Sequence, residues 1–423
     1  MSGDKEHNIV RENYRPRLVD SRIDDMLSAF GGVLITGPKW CGKSWTGIYH
    51  AASSIMLSIP SIRNYIRTSP EDALIGDYPR LIDEWQDVPD LWDLARGRID
   101  LANMKGMYIF TGSSPTPGTN VRHTGTGRFA RIRMRTMSLF ESGESNGSIS
   151  LSKLFSDGRV CPTPSTMRYD DIIYLICRGG WPASISVTND IALTTPFEYV
   201  NALISVDFSA ITGMRRNPSL TERILRSLAR NSASEVRLST ITADVSEGGR
   251  SVSEQTVRNY IDSLKDICVI EEQPAWSPSL RSRGRIRTSP KIHFTDPSLA
   301  ASLLKAPPEI LKKDVNTAGL LFESLCHRDL SAYAYASMGN VYHYRDNTGL
   351  EIDSIVEMPD GRWGAAEVKL GDFEVDKAAR NLLRLNDKVG QKASFLCVIT
   401  ATGLVAYTRD DGVSVIPIGI LGP

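Results

Sequence analysis

The sequence predicts an α/β protein of more than one domain, and three observations carry that expectation. Its 423 residues exceed what one hydrophobic core usually organises. Its first third alternates helical stretches with short apolar strands: a helix near Leu18–Phe30, then strands at Val33–Thr36, Arg80–Asp83 and Met107–Thr111. Such alternation implies a parallel sheet with helices on its faces. The C-terminal part begins helical and returns to strands at Val341–Arg345, Leu350–Glu357 and Arg362–Leu370, parted by the turns Asp346–Gly349 and Pro359–Gly361. Between these blocks, Ile172–Ile270 reads as helical. Stretches rich in Ser, Gly or Pro at Ser142–Ser150, Ser156–Met167, Gln273–Pro290 and Ala306–Pro308 mark the breaks.

Composition narrows the class. With 41% hydrophobic and 23% charged residues the chain is ordinary for a soluble globular protein. Apolar runs such as Ser54–Pro60 and Phe395–Ile399 are too short to span a bilayer, and Met1–Arg11 has no signal-peptide core, so no membrane partner is expected. The six cysteines form no CxxC pair and no zinc spacing, which fits a reduced cytoplasm. The six histidines are dispersed, and no nucleophile elbow is present. Basic and acidic residues number 49 each, so no global field marks a nucleic-acid binder. The arginines are locally clustered, however, at Arg128–Arg135 and in Arg281–Lys291. A solvated loop accounts for such runs as readily as a phosphate-binding patch.

Gly37-Pro38-Lys39-Trp40-Cys41-Gly42-Lys43-Ser44 fits the phosphate-loop pattern GxxxxGK(S/T), with an apolar strand before it and a helix, beginning through Trp45, after it. Its glycines let backbone N–H groups wrap phosphates at a helix N-terminus. Lys43 is expected on the β/γ-phosphates of ATP and the Ser44 hydroxyl on Mg²⁺. Downstream, Arg80–Asp83 ends in an acidic pair: Asp83 would hold the Mg²⁺ shell and Glu84 would polarise the attacking water. The strand through Thr111 runs into Gly112-Ser113-Ser114, where additional-strand ATPases carry a γ-phosphate sensor, here Ser113. Arg128 and Arg131 precede the strand-like Ile132–Met137, where oligomeric ATPases place an arginine that reaches a neighbouring subunit.

In the middle, Ser239–Val245 predicts a short helix and Glu247–Arg250 a turn. Ser251 with Glu254 reads as a capping box opening a second helix. On that helix Val257, Tyr260, Ile261, Leu264 and Ile267 share one apolar face. Ser253, Gln255, Arg258 and Asn259 point outward, as a DNA-recognition helix requires. A strand, Cys268–Glu272, and the basic segment with Arg283 and Arg285 follow where a wing would be. A helical hairpin packed on the ATPase as a lid remains the alternative.

At the C-terminal end, Glu367 and Lys369 alternate on one strand face, Asp353 lies on the preceding strand, and Glu323 sits on the helical stretch Gly319–Leu325. That order matches the PD-(D/E)XK arrangement. In it, Asp353 and Glu367 would ligate metal, Glu323 would add a ligand or orient water, and Lys369 would support the nucleophile.

The stretches YRPRLVD, LITGPKWCGKS, LIDEWQDVP, FTGSS, GRFARIRMRTMSLFE and RGGWPASI, in that order, resemble one family. It is the prokaryotic AAA+ ATPases that carry a C-terminal domain of unknown function related to PD-(D/E)XK nucleases. Lys39-Trp40 and Gly125-Thr126 depart from its usual residues without removing a needed group. The resemblance implies an AAA+ ATPase domain over 14–142, a helical lid and winged helix over 165–290, and a nuclease-like α/β domain over 291–423. It also implies ATP and Mg²⁺ as cofactors, a homo-oligomer of hexameric type, and action on duplex or branched DNA such as a Holliday junction. The rival expectation is an ATP-controlled signalling or defence switch with a C-terminal effector module.

Overall fold

A computed structural model of the chain describes residues 9–10, 12–112, 125–207, 217–246, 251–278 and 289–423. The chain divides into two compact units: Met1–Thr136 with Asp266–Cys268, and Met137–Lys265 with Val269–Pro423. No helix among the described residues is long and apolar enough to cross a membrane.

In the first unit, α1 (Asp20–Ala29) leads into β1 (Gly32–Thr36), α2 (Lys43–His50), β2 (Ser53–Met56), α3 (Pro60–Thr68), β3 (Arg80–Asp83), α4 (Asp90–Ala102), β4 (Tyr108–Gly112) and β5 (Phe129–Arg133). The strands form one sheet in the order β2-β3-β4-β1-β5, and every pairing is parallel. β1 and β4 are buried at every position, which is why they read as continuous apolar runs rather than alternating ones. Beneath the sheet, Trp92 stacks on Phe129 at 4.3 Å between ring centroids, and Trp85 and Phe110 close the cluster. β5 starts at Phe129 rather than Ile132, so Arg131 lies within the strand and only Arg128 precedes it.

The second unit holds the helices α5 (Tyr169–Arg178), α6 (Pro218–Arg230), α7 (Leu238–Val245) and α8 (Glu254–Asp266), then a hairpin of β6 (Ile270–Gln273) and β7 (Lys291–Phe294). This hairpin bridges the domain boundary expected at residue 290. After α9 (Pro297–Leu303) and the long α10 (Val315–Ala336) come β8 (Asn340–Arg345), β9 (Glu351–Glu357), β10 (Trp363–Lys369), α11 (Val375–Lys388), β11 (Leu396–Thr400), β12 (Val405–Thr408) and β13 (Ser414–Pro417). The sheet order is β8-β9-β10-β11-β13-β12, extended by the short strand Thr163–Pro164. β9 pairs antiparallel with both β8 and β10, and β10 pairs parallel with β11 after the α11 crossover. Leu382 and Leu385 of α11 pack on Ile355, Ala365 and Val398 of the sheet.

A buried ionic knot lies within this unit. The Arg328 guanidinium donates to Asp296 at 3.1 Å and to Asp329 at 2.8 Å, all three being essentially inaccessible. The same carboxylates accept the backbone N–H groups of Gly180 and Leu139, each at 2.9 Å. Gly180 has no room for a side chain, since a Cβ would lie 2.0 Å from the Met137 carbonyl oxygen. Trp181 donates to Ser298 at 3.0 Å. The stretch RGGW is thus a packing joint.

Candidate functional site

β1 delivers the chain to the carboxyl edge of the first sheet, where residues 37–42 turn into α2. Gly37 is the tight position: a Cβ there would sit 2.2 Å from the Met134 carbonyl oxygen. Gly42 and Trp40 take left-handed backbone, with φ of 100° and 62°. Lys43, 5% exposed, donates from Nζ to the carbonyl oxygens of Gly37 (3.0 Å) and Pro38 (2.8 Å), so its ammonium lies along the inner rim of the loop. Ser44 and Lys39 are half-buried, Pro38 and Cys41 are buried, and Trp40 and Trp45 stand exposed beside the loop.

The acidic pair arrives on β3. Asp83 is buried, and its Oδ1 accepts a 2.6 Å hydrogen bond from Thr111 Oγ1, its register partner on β4. Glu84 leaves the strand in left-handed backbone at φ 54°. For a residue other than glycine that costs on the order of 1 kcal/mol or more, a strain that functional sites often hold. Gln86 Nε2 donates to Glu84 Oε2. Burial pushes the Glu84 carboxyl above its ordinary range, with Lys43 opposing and the Asp83 charge reinforcing. A carboxylate with raised proton affinity beside the loop lysine suits a general base. Together these groups fit a Mg²⁺-nucleotide: a glycine with no space for a side chain, a lysine on the loop rim, and a buried carboxylate aimed by a hydroxyl.

Two participants are absent from the sequence reading. Thr111 is the hydroxyl that meets Asp83, whereas the expected sensor, Ser113, lies outside the described residues. Arg17, buried, straps the loop: it donates to the carbonyls of Cys41 and Arg135, both at 2.8 Å. The only sequence signal for it was its place in the stretch YRPR.

Arg128 sits at the opposite edge of the sheet. Its carbonyl accepts from Gly32 N at 3.1 Å, at the start of β1, four register positions before Thr36 pairs with Arg133. At about 3.3 Å per residue this places it about 13 Å from the phosphate-loop edge. Its Nε donates to Asp100 at 2.7 Å, and the side chain is half exposed.

In the second unit, Val257, Tyr260, Ile261 and Leu264 form the buried face of α8, while Ser253, Gln255, Arg258 and Asn259 are exposed. The helix starts at Glu254, and Ser253, not Ser251, caps it by accepting from Thr256 N at 3.1 Å. The expected box fails because Ser251 lies three residues before the first helical position. Arg283 and Arg285 fall outside the described residues.

The structure brings Glu323 (α10), Asp353 (β9), Glu367 and Lys369 (β10) together, with two further residues among them. Lys369 Nζ lies 2.9 Å from Glu367 Oε2 and 3.5 Å from Asp353 Oδ2. Lys291, at the start of β7, reaches Glu323 Oε1 at 2.7 Å, Glu351 Oε1 at 3.2 Å and Asp353 Oδ1 at 3.7 Å. Asp353 Oδ2 also accepts from Val368 N at 2.8 Å, and Asn381 donates to Glu367 Oε1 at 3.3 Å. Burial, then the Asp353 charge, push the Glu323 carboxyl up to about 8 and the Glu367 carboxyl up to about 7. Burial also works against the Asp353 charge, but Lys369 and Lys291 outweigh it and hold that carboxyl below its ordinary range. Lys291 stays protonated: burial opposes its charge, and Glu323 and Asp353 more than offset that. As it stands this set does not fit a divalent ion, because an ammonium fills the point on which Glu323 and Asp353 converge. Among the described residues no group of three or more His, Cys, Asp or Glu side chains is arranged to hold a metal.

Residues 30–142 match the AAA domain family. Residues 169–310 and 318–421 match two domains of unknown function, DUF8612 and DUF4143. The chain is similar to the uncharacterized protein Rv2008c of Mycobacterium tuberculosis, 22% identical over 363 residues that cover 83% of this chain and 73% of that one. Mb2031c of Mycobacterium bovis matches with the same figures. Among solved structures it is similar to the Walker-type ATPase PABY2304 of Pyrococcus abyssi. That match has 16% identity and a TM-score of 0.45, and covers 70% of this chain and 97% of the other. The phosphate loop, the acidic pair, the strand inserted between β1 and β3, and the AAA match over residues 30–142 define the class of the first unit: a P-loop ATPase domain of the AAA type.

Proposed function

We propose that this chain is a Mg²⁺-dependent AAA+ ATPase that works as a homo-oligomer, of hexameric type, to bind and remodel or translocate duplex or branched DNA. Lys43 and the loop amides would bind the phosphates, and Ser44 and Asp83 would hold the Mg²⁺, which supplies charge stabilisation to the transferring phosphoryl group. Thr111 fixes the Asp83 carboxylate, and Gln86 holds the Glu84 carboxylate that orients water and takes its proton. Arg128 lies at the far edge of the sheet from its own loop, which favours a role toward a neighbouring subunit's nucleotide.

The observation that carries the DNA reading is α8, whose buried Val257, Tyr260, Ile261 and Leu264 leave Ser253, Gln255, Arg258 and Asn259 facing solvent. With α7 before it and the β6–β7 hairpin after it, this helix has the setting of a winged-helix recognition helix, and the connection between the two strands carries Arg283 and Arg285. Cation–phosphate contacts make affinity fall with salt, with a slope of about 0.9 per contact. Binding to labelled four-way and duplex DNA across a salt series tests the reading. Arg258→Ala combined with Arg283→Ala and Arg285→Ala should weaken binding and flatten the slope, with basal ATPase intact. Unchanged affinity and slope would remove this surface as the DNA contact.

A further inference from the structure

The C-terminal cluster has an unusual charge arrangement. Four acidic side chains, Glu323, Glu351, Asp353 and Glu367, share one locus with two ammonium groups, Lys291 and Lys369. The two oxygens of Asp353 are divided between them: Oδ1 faces Lys291 and Oδ2 faces Lys369 while also accepting the Val368 N–H. A hard divalent cation needs several oxygens at about 2.0–2.6 Å, with their lone pairs turned toward it. Here the Glu323 and Asp353 oxygens are turned toward the Lys291 Nζ.

Lys291 is no loose surface side chain. Its side chain is 3% exposed, and it opens β7 in register with Gln273 of β6. Gln273 Nε2 in turn donates to the carbonyl oxygens of Asp353 (2.8 Å) and Tyr342 (3.0 Å), and its Oε1 lies 3.0 Å from His293 Nε2. The paired residues of the hairpin, Gln273 and Lys291, are therefore both anchored to the sheet that carries the acids. The ammonium is delivered by a hydrogen-bonded strand whose position is fixed on both sides.

We propose that Lys291 is the resident cation of this cluster. Its ammonium occupies the place of a divalent ion between Glu323 and Asp353, so the cluster is closed to Mg²⁺ and Mn²⁺ and becomes a divalent-cation site only when that charge is removed. A second cation at the same point would be repelled by the ammonium at low local dielectric. Displacing the ammonium would leave it buried and unpaired, which is strongly unfavourable. The C-terminal domain, on this account, holds the acids of a metal-dependent phosphodiesterase in a form that does not cut.

The test is Mn²⁺ titration of nucleotide-free, full-length protein, followed by the electron paramagnetic resonance signal of free Mn²⁺. Wild type should bind no Mn²⁺ through Asp353. Lys291→Met, which keeps the chain's length and removes its charge, should gain one Mn²⁺ site on the order of ten-fold or more tighter than any residual binding by wild type. Adding Asp353→Asn to that variant should abolish the gain. Mn²⁺ should also raise the melting temperature of Lys291→Met and leave that of wild type unchanged. Wild-type Mn²⁺ binding or Mn²⁺-dependent DNA nicking that Asp353→Asn abolishes would overturn the proposal. A folded Lys291→Met that gains no Mn²⁺ affinity would overturn it as well. If Lys291→Met does not fold, the wild-type and Asp353→Asn titrations still decide.

Discussion

Thr111→Val is the most informative single change in the nucleotide site. The two side chains have nearly the same shape, and Thr111 is fully buried, so the substitution leaves the packing of β4 intact and removes one hydroxyl. That hydroxyl makes a 2.6 Å hydrogen bond to Asp83 Oδ1. A hydrogen bond to a charged acceptor contributes about 1.5–3 kcal/mol. Since about 1.4 kcal/mol is a factor of ten, the expected loss is roughly ten- to hundred-fold, the range seen when an outer partner of a metal ligand is removed. The loss should appear in the Mg²⁺ dependence of ATP hydrolysis. The apparent Mg²⁺ requirement should rise and turnover fall, while metal-free nucleotide binding, assigned in the proposal to Lys43 and the loop, should stay close to wild type. Thr111→Ser restores the hydroxyl and should recover most of the activity, which separates positioning from a general packing defect. If Thr111→Val hydrolyses ATP with unchanged Mg²⁺ dependence, Thr111 does not position Asp83 for the metal.

Other changes probe the remaining parts. Glu84→Gln should retain ATP binding and lose turnover; normal hydrolysis by the purified variant would remove Glu84 as the base. Arg128→Ala should bind ATP yet hydrolyse poorly, and mixing it with Lys43→Ala should restore part of the activity; a strictly additive mixture would defeat the role toward a neighbour. Asp296→Ala leaves Arg328 short of one buried partner and should cost about 3–5 kcal/mol in chemical denaturation; a loss below about 1 kcal/mol, as for an exposed pair, would show the knot to be dispensable. The Glu323 carboxyl is raised from an ordinary 4.5 to about 8 in the fold. The stability it contributes is therefore full below pH 4.5 and is lost as pH rises through about 8. Glu323→Gln should flatten that decline in pH-dependent melting, and an unchanged profile would contradict the assignment.

What the sequence revealed follows from where the information is local. The phosphate loop and the acidic pair were legible because each is a contiguous motif at the end of an apolar strand, and β3 matches its expected limits residue for residue. The parallel sheet could be inferred from runs buried on both faces, but the insertion of β4 between β1 and β3 is a pairing, and pairings leave no mark in one strand's composition. The same limit hid the partners. Thr111 meets Asp83 across a sheet register, Arg17 crosses from the N-terminal segment to Arg135, and Lys291 comes from the hairpin to acids on α10 and β9. The basic segment ending at Lys291 read as one charged run, yet its last member is buried among carboxylates. The Ser251 box failed on a local matter: several serines precede the helix, and only backbone geometry selects Ser253 as its cap.

Whether this AAA-type ATPase domain serves an action on DNA, as proposed, is decided by one comparison. Steady-state ATP hydrolysis by the purified full-length chain would be measured at moderate salt, alone and with single-stranded, duplex, forked and four-way DNA, with Lys43→Ala as the blank. The expected result is Lys43-dependent hydrolysis that duplex or branched DNA raises several-fold. Lys43-dependent hydrolysis indifferent to every DNA would contradict the DNA assignment and favour an ATP-controlled switch, and hydrolysis that survives Lys43→Ala would contradict the nucleotide site itself.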